Sequence, residues 1–396
     1  MPINYQEVQH QVRDFGAASA QRQQRLGNLR QEMMVKLAEY THEQEFITLK
    51  IGHAINYNPG LRCALPGNEP INGHFPAPRI PPEAIILAAD GSQINPSRHD
   101  QVKLGLINVG IIRLHLGRGL APSSIVRSRL LSFEDLYTSE GLITEAKVAF
   151  LRDLGERQAL ADMALEEKQA VMTITDGPLE LYSESKATEE DDGRTDHIQL
   201  FNDYLQTLTR LSQSGASTAG YIDKPESELV GRMLEVLSLS DEELRQAGKK
   251  RPYLEITDES LFTELLNSPG ERSAVFAIQS LFARKFKEEL SLHFFYINVG
   301  RLGHPWLARI EIPAWVAHNP KMLNDLHAVI FAQTEILGNR PYPYVLHRAH
   351  EIAVVTMAEK EQVEQMVIAE YMRQGIDPGE KSYKQSLKDL ERRKGY

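Results

Sequence analysis

Two apolar runs in this chain end in the same acidic pair. Ala84-Ile85-Ile86-Leu87-Ala88-Ala89 leads into Asp90-Gly91-Ser92, and Ala170-Val171-Met172-Thr173-Ile174-Thr175 leads into Asp176-Gly177-Pro178. A run that is apolar on both faces reads as a central strand of a covered sheet, and glycine after it permits a sharp turn. In an open α/β sheet, ligands gather beyond the carboxyl ends of the parallel strands. Two carboxylates placed there on neighbouring strands repel unless a cation lies between them, and oxygen donors point to Mg²⁺ or Mn²⁺. A third acid is expected from the helix between the strands. Glu156 shares a stripe with Ala149 and Leu160, with Asp153 and Asp162 as alternatives. Further along, Tyr342, Tyr344, His347 and His350 fall within nine residues, and one of the two histidines is expected to complete a metal shell or carry a proton.

These residues need a scaffold. Hydrophobic periodicity predicts a long helical segment over residues 4–50, with an apolar stripe at Leu26, Leu29, Met33, Leu37 and Tyr40. A loop rich in Pro, Gly and Asn follows from Asn56 to Pro82. Strands are expected at 84–89, Val102–Leu116, Ser124–Ser132, 170–175 and Thr218–Ile222, with helices at Thr144–Lys168, His197–Ser212 and Ser227–Leu239. The segment Glu184–Asp196 is charged and reads as a loop. Strands at Leu292–Val299 and Ala308–Val316 and helices near Met322–Leu337, Tyr344–Met357 and Glu361–Arg373 complete the chain. Three closely spaced strands suggest an antiparallel meander, and the later alternation suggests crossovers. The order β-β-β-α-β-α-β-α is that of an α/β RNase H-like core with a mixed five-stranded sheet, a long N-terminal helix and a C-terminal α/β elaboration. The expected organisation is a helical segment at 1–55, a main domain at 56–373 with its core at about 84–240, and a basic tail at 374–396.

With 396 residues and 42% hydrophobic content, the chain can bury a substantial core. Its polar N-terminal stretch and lack of an eighteen-residue apolar run predict neither a signal peptide nor a membrane span. The single cysteine, Cys63, excludes an intramolecular disulfide and a cysteine-based zinc site, and fits a reducing cytoplasm. A net charge of −10 argues against a simple DNA-coating protein. However, no acid occurs between Gln101 and Phe133, where Lys103, Arg113, Arg118, Arg127 and Arg129 offer a local basic surface. No Walker loop, dinucleotide fingerprint, H-E-x-x-H or G-x-S-x-G motif is present.

Taken together, the chain from about Ala84 to Thr356 resembles the NurA nuclease family. The resemblance rests on Asp90-Gly91-Ser92, the acidic helix, Asp176-Gly177, the segment GYIDKPESELVGRML, and Tyr342-Pro343 followed by Ala349-His350. It implies an RNase H-fold, Mn²⁺- or Mg²⁺-dependent exo- and endonuclease of DNA ends that works by two-metal hydrolysis. It also implies a homodimer and a partnership with the hexameric translocase HerA. By the same resemblance Asp90 bridges the ions, Asp176 and Glu156 each hold one, and His350 is a ligand or proton carrier. Tyr342 positions water or stacks on a base, while Lys224 and Arg113, Arg118, Arg127 and Arg129 hold the DNA backbone. The chain departs from the pattern where Asp223 precedes Lys224, in place of an apolar residue, and where Pro178 follows Gly177, in place of serine. Two other readings of the Asp-Gly pairs are an actin-like or sugar-kinase-like phosphotransferase and a non-catalytic adaptor of a translocase complex.

Overall fold

The computed structural model describes residues 3–138, 141–181, 192–246 and 248–379. The chain forms two compact units, each discontinuous in sequence: residues 1–79 with 221–335, and residues 80–220 with 336–396. The expected organisation was linear. Instead the N-terminal helical segment shares a unit with residues from the second half of the chain.

The second unit carries the strand-end acids. Its strands are β1 (Ala84–Ile94), β2 (Leu106–Leu116), β3 (Ser123–Leu130), β4 (Val171–Asp176) and β5, the strand Ser217–Asp223, along which the chain leaves the unit after Gly220. Its main helices are α1 (Glu145–Glu166), α2 (Asp192–Gln213), α3 (Tyr344–Ala353) and α4 (Met357–Arg373). The strand order is β5-β4-β1-β2-β3, with β2 antiparallel to both β1 and β3 and β4 parallel to β1. A meander of three strands joined to strands that alternate with helices is the RNase H-like topology, within a mixed α/β fold.

Local signals explain where these elements begin. The hydroxyl of Thr144 accepts from Lys147 N to start α1, and Thr356 forms a capping box with Glu359 to start α4. Pro343 immediately precedes α3, where its missing N–H costs nothing. The central part of β1, from Ala84 to Ala89, is buried on both faces, as its unbroken apolar run requires.

Several boundaries differ from expectation. β1 does not stop at Asp90 but continues to Ile94, paired with β2 along its whole length. Only its parallel pairing with β4 ends there, because β4 turns away at Gly177 with φ of +88°. The helix expected at Tyr344–Met357 stops at Ala353, and α4 begins at Met357 instead of Glu361. Strand 307–313 gives way at Pro313 to a helical turn, Ala314–Ala317. Of the charged segment Glu184–Asp196, residues 184–191 lie outside the described residues and 192–196 form the start of α2 instead of a loop; the tail beyond residue 379 also lies outside the described residues.

The first unit contains helices Tyr5–Glu39, Gln44–Tyr57, Leu229–Leu237, Asp258–Leu265 and Pro320–Glu335. They accompany an antiparallel run of strands in the order Cys63–Pro66, Phe276–Gln279, Leu292–Asn298, Leu307–Pro313. The loop expected at 56–82 therefore contributes two short strands, Cys63–Pro66 and His74–Phe75. The apolar stripe Leu26–Tyr40 is used inside this unit. Met33 and Leu37 are buried, and Met33 touches Gly231. Cys63 is buried, which pushes its thiol up to about 12 and keeps it unreactive. Among the described residues, no helix is long and apolar enough to cross a membrane.

Candidate active site

Side-chain alternation along β1 sends Asp90 to one face of the sheet and Gly91 to the other. On the Asp90 face, the cross-strand partner is Gly110 of β2. A methyl group on Gly110 would lie 2.6 Å from the carbonyl oxygen of Ala349 and 2.8 Å from Ala353 N. Glycine at 110 therefore lets the backbone of α3 rest directly on the sheet. Two polar side chains pin the end of that helix: Ser92 Oγ donates to Ala353 O at 2.5 Å, and Asn108 Nδ2 donates to the same oxygen at 2.8 Å. They satisfy a carbonyl that a helix C-terminus leaves unpaired, and they fix the rotation of α3.

That rotation brings His350 to Asp90. The ring Nδ1 lies 2.6 Å from Asp90 Oδ2. A carboxylate only accepts, so Nδ1 donates to Asp90, and Nε2 is the ring nitrogen that Asp90 leaves free. His350 is well exposed, whereas the Asp90 side chain is only 13% exposed. Asp90 also accepts from Gly91 N at 2.8 Å. Asp176 follows directly on the parallel register that pairs Ala89 with Thr175, so it stands beside Asp90 on the neighbouring strand and shares its face. Asp176 is exposed.

On the opposite face, α1 lies against β1 and β2, and a methyl group on Gly155 would contact Val109. Here the bare α-carbon of Gly91 leaves room for Glu156 and Arg152. Glu156 is 2% exposed, with Arg152 Nε at 3.5 Å and Arg157 Nη1 at 3.6 Å. Burial holds its carboxyl well above the usual carboxylate range. Arg157 and Arg152 pull it down, while Asp153 and Asp90 push it further up. Arg157, fully buried, donates to the carbonyls of Asp153 (2.9 Å) and Pro178 (2.8 Å) and so ties α1 to the turn after Asp176. That turn packs closely on β5, where Gly220 has no room for a side chain beside Gly177 O.

The structure thus places His350 against Asp90, Asp176 beside Asp90 on the neighbouring strand, and Glu156 at Gly91 on the opposite face, and among the described residues no three of these groups converge on one point. The competing candidates are engaged elsewhere. Asp153 pairs with Arg152 at 2.7 Å, Asp162 pairs with Arg127 and Arg210, and His347 lies 3.6 Å from Glu351. Tyr342 lies just before α3 and is half-buried. The basic window is less free than its composition suggested. Arg113 pairs with Glu167, Arg118 with Glu83, Arg127 with Asp162 and Arg129 with Asp135, each within 3.1 Å. Lys224 belongs to the other unit, where its ammonium sits 4.7 Å above the Trp306 ring and its backbone takes a φ of +46°. Asp223, noted as a departure, accepts from Trp306 Nε1 at 2.8 Å.

Sequence reasoning missed the residues that make the approach possible. The Asp-Gly pattern predicts a turn at Gly91, but this residue sits inside a continuous strand and serves as a window for Glu156. Gly110, Ser92 and Asn108, which seat α3, carried no signal because their partners lie more than 200 residues away. Arg157, one residue beyond Glu156 on α1, was the one cue within reach.

The NurA domain family model matches residues 84–355. Among solved structures, the chain resembles the NurA nuclease from Sulfolobus solfataricus at 10% identity and a TM-score of 0.49, covering 87% of this chain and 98% of that one. It also resembles the catalytic domain of human Endonuclease V at 11% identity and a TM-score of 0.31, covering 82% and 98%. A type 1 RNase H, LC9-RNase H1, matches at 13% identity and 0.22 over 36% of this chain and 64% of its own. No curated protein matches the sequence. The matched span runs from the first residue of β1 to just past α3, taking in Asp90, Glu156, Asp176 and His350, and the chain belongs to the NurA family.

Proposed function

We propose that the chain is a divalent-metal-dependent nuclease of DNA ends, cutting phosphodiester bonds as both exo- and endonuclease. The observation that carries this reading is the position of Asp90. Its neighbour in parallel register is Asp176, its carboxylate holds His350, and the next residue gives Glu156 its seat.

The donor set suits a hard cation. It consists of three carboxylates and one imidazole, an oxygen-rich set of the kind that holds Mn²⁺ or Mg²⁺. Among the described residues, no three acidic, cysteine or histidine side chains already converge on a single point. The groups stand instead as Asp90 with His350, Glu156 with its arginines, and Asp176 beside them. In this reading Asp90, Asp176, Glu156 and His350 are the residues that would hold two ions. The ions supply Lewis acidity for attack of water on phosphorus and for departure of the 3′ oxygen.

The chain's own residues divide the remaining work. Asp90 fixes the His350 tautomer through Nδ1, which leaves Nε2 facing solvent to take up or deliver a proton. Arg157 keeps the turn after Asp176 in place, so that Asp176 stays in register with Asp90. Arg152, about a third exposed and beside Glu156, supplies positive charge near the acids. Tyr342 leads into α3 and in this reading positions water or stacks on a base. Lys224 and the arginines at 113, 118, 127 and 129 serve as backbone contacts. For those four arginines this means exchanging a carboxylate partner for a phosphate.

The assembly belongs to the same reading: a homodimer in the cytoplasm, working with a HerA-type hexameric translocase. No phosphate-binding loop occurs in the sequence, so ATP-driven movement along DNA must come from a partner. A net charge of −10 gives little long-range attraction for DNA, which a threading motor would overcome. The test is degradation of linear DNA by the purified chain in Mn²⁺. Activity should vanish in EDTA, and Asp90→Ala or Asp176→Ala should lower it by several orders of magnitude without unfolding the protein. Undiminished activity in metal-free buffer would refute the reading. Adding the cognate translocase with ATP should raise degradation of long duplexes at least tenfold.

A further inference from the structure

The first unit holds a cavity of about 420 Å³ between the segment 67–75, strand Leu292–Asn298 and the start of helix Pro320–Glu335. Cavities of this size are typical of small-ligand sites. Its sides are apolar, formed by Phe75, Val275, Pro320 and Leu323.

Its charged groups cancel each other. Arg272 lies 4.3 Å over the Phe75 ring and is held by Glu69 through two bonds of 2.9 and 2.7 Å. Glu69 also accepts from Val275 N at 2.9 Å. A guanidinium already in a two-pronged pair with a carboxylate makes a poor anion site.

What the wall does offer is a neutral hydrogen-bonding edge. His293 is 7% exposed, and burial lowers its pKa to about 4, so it is uncharged at neutral pH. Its Nδ1 lies 3.2 Å from the carbonyl oxygen of Ser291, which can only accept. The proton is therefore on Nδ1, and Nε2 is left as an acceptor with no hydrogen bond to the protein among the described residues. The exposed ring of His318 stands edge-on to His293, with centroids 5.1 Å apart. Asn68 and Asn324 line the mouth of the cavity with amides that both donate and accept.

A cavity with apolar sides, neutral hydrogen-bonding groups and no uncompensated positive charge matches a nucleobase and not a phosphate. We propose that this cavity of the first unit binds a single unpaired nucleobase of the DNA substrate, with His293 Nε2 accepting an N–H from the base edge. The proposal rests on the nuclease reading above, since that reading supplies single-stranded DNA as the ligand's source.

The experiment titrates the full-length protein by calorimetry with deoxyadenosine, deoxycytidine and thymidine, and with inorganic phosphate and 2-deoxyribose as controls. At least one nucleoside should bind with a Kd in the millimolar range or tighter, and neither control should bind. Leu323→Trp should fill the cavity and abolish binding. His293→Phe keeps the ring volume but removes the acceptor, so it should weaken binding about tenfold. Unchanged melting temperatures identify folded variants, and His293→Phe stands alone if the tryptophan variant does not fold. Absence of nucleoside binding, binding unaffected by His293→Phe, or saturable binding of phosphate overturns the proposal. Mn²⁺-dependent cleavage is measured on the same preparation. A protein that cuts DNA but binds no nucleoside loses only this inference, whereas one that binds nucleosides but does not cut loses the nuclease reading.

Discussion

Glu156 seats its carboxylate against the α-carbon of Gly91: a methyl group there would lie 2.7 Å from Glu156 Oε1 and 2.5 Å from Arg152 Cγ. Gly91→Ala should therefore displace both side chains. We expect at least a 100-fold loss of DNA cleavage and a stability loss of about 1–3 kcal/mol, the usual cost of overpacking. Gly27→Ala is the control. It lies within helix Tyr5–Glu39 with nothing inside 4 Å of the added carbon, so it should leave activity unchanged and stabilise the helix by about 1 kcal/mol. Near-normal cleavage by Gly91→Ala would remove Glu156 from the site.

His350 acts through a nitrogen that Asp90 leaves free. His350→Gln can still donate to Asp90 from its amide but cannot carry a proton. We expect kcat to fall by about 10²–10⁴, the usual contribution of a positioned proton carrier, with KM for DNA little changed. His347→Gln, which loses only the contact with Glu351 on the same helix turn, should stay within about threefold of the parent. Steady-state kinetics on a defined duplex end would show both. Equal losses in the two variants would contradict the assignment.

The first unit carries an acid sensitivity with a calculable direction. Burial lowers His293 and His327 to about 4 each, so in the folded state they resist a proton that the unfolded chain accepts near 6.5. The unfolded state therefore binds more protons as pH falls from 6.5 towards 4, and stability is lost in that window. Asp258 acts in the opposite sense. Burial raises it to about 6, so its contribution is lost as pH rises towards 6 and regained on acidification. Two histidines against one carboxyl leave a net loss on acidification. Melting curves between pH 7 and 4.5 should show it, and His327→Gln should reduce the slope. A slope unaltered by that substitution would count against it.

The first turns of helix Tyr5–Glu39 present Tyr5, Val8, Val12 and Phe15 at spacings of three, four and three, with exposures of 72, 40, 60 and 72%. This is the spacing of a two-helix seam. The other apolar stripe of this helix, Leu26–Tyr40, already packs within its own unit through Met33 and Leu37. If the chain is a homodimer, the earlier seam is the face left to pair. Deleting residues 1–20 should yield monomers by light scattering with little change in melting temperature, because Met33 and Leu37 still anchor the helix. A deletion variant that remains dimeric would exclude the seam.

The order of the main elements between residues 84 and 239, the two Asp-Gly pairs and the central character of β1 could be read from the sequence because their causes are local. Strand and helix periods repeat over a few residues, and an unbroken apolar run such as 84–89 needs cover on both faces whatever surrounds it. The tertiary structure decided which helix acid meets β1 and which histidine meets Asp90. It decided that Gly91 is a window inside a strand and not a turn, and that each arginine from 113 to 129 faces a carboxylate. It also decided that residues 1–79 join 221–335 in one unit. Each of these depends on groups distant in sequence: Ser92 and Asn108 on the Ala353 carbonyl, Arg272 on Glu69, Met33 on Gly231. A sequence pattern records how one residue relates to its own strand or helix. The partner that packs against it follows only from how the chain folds back on itself.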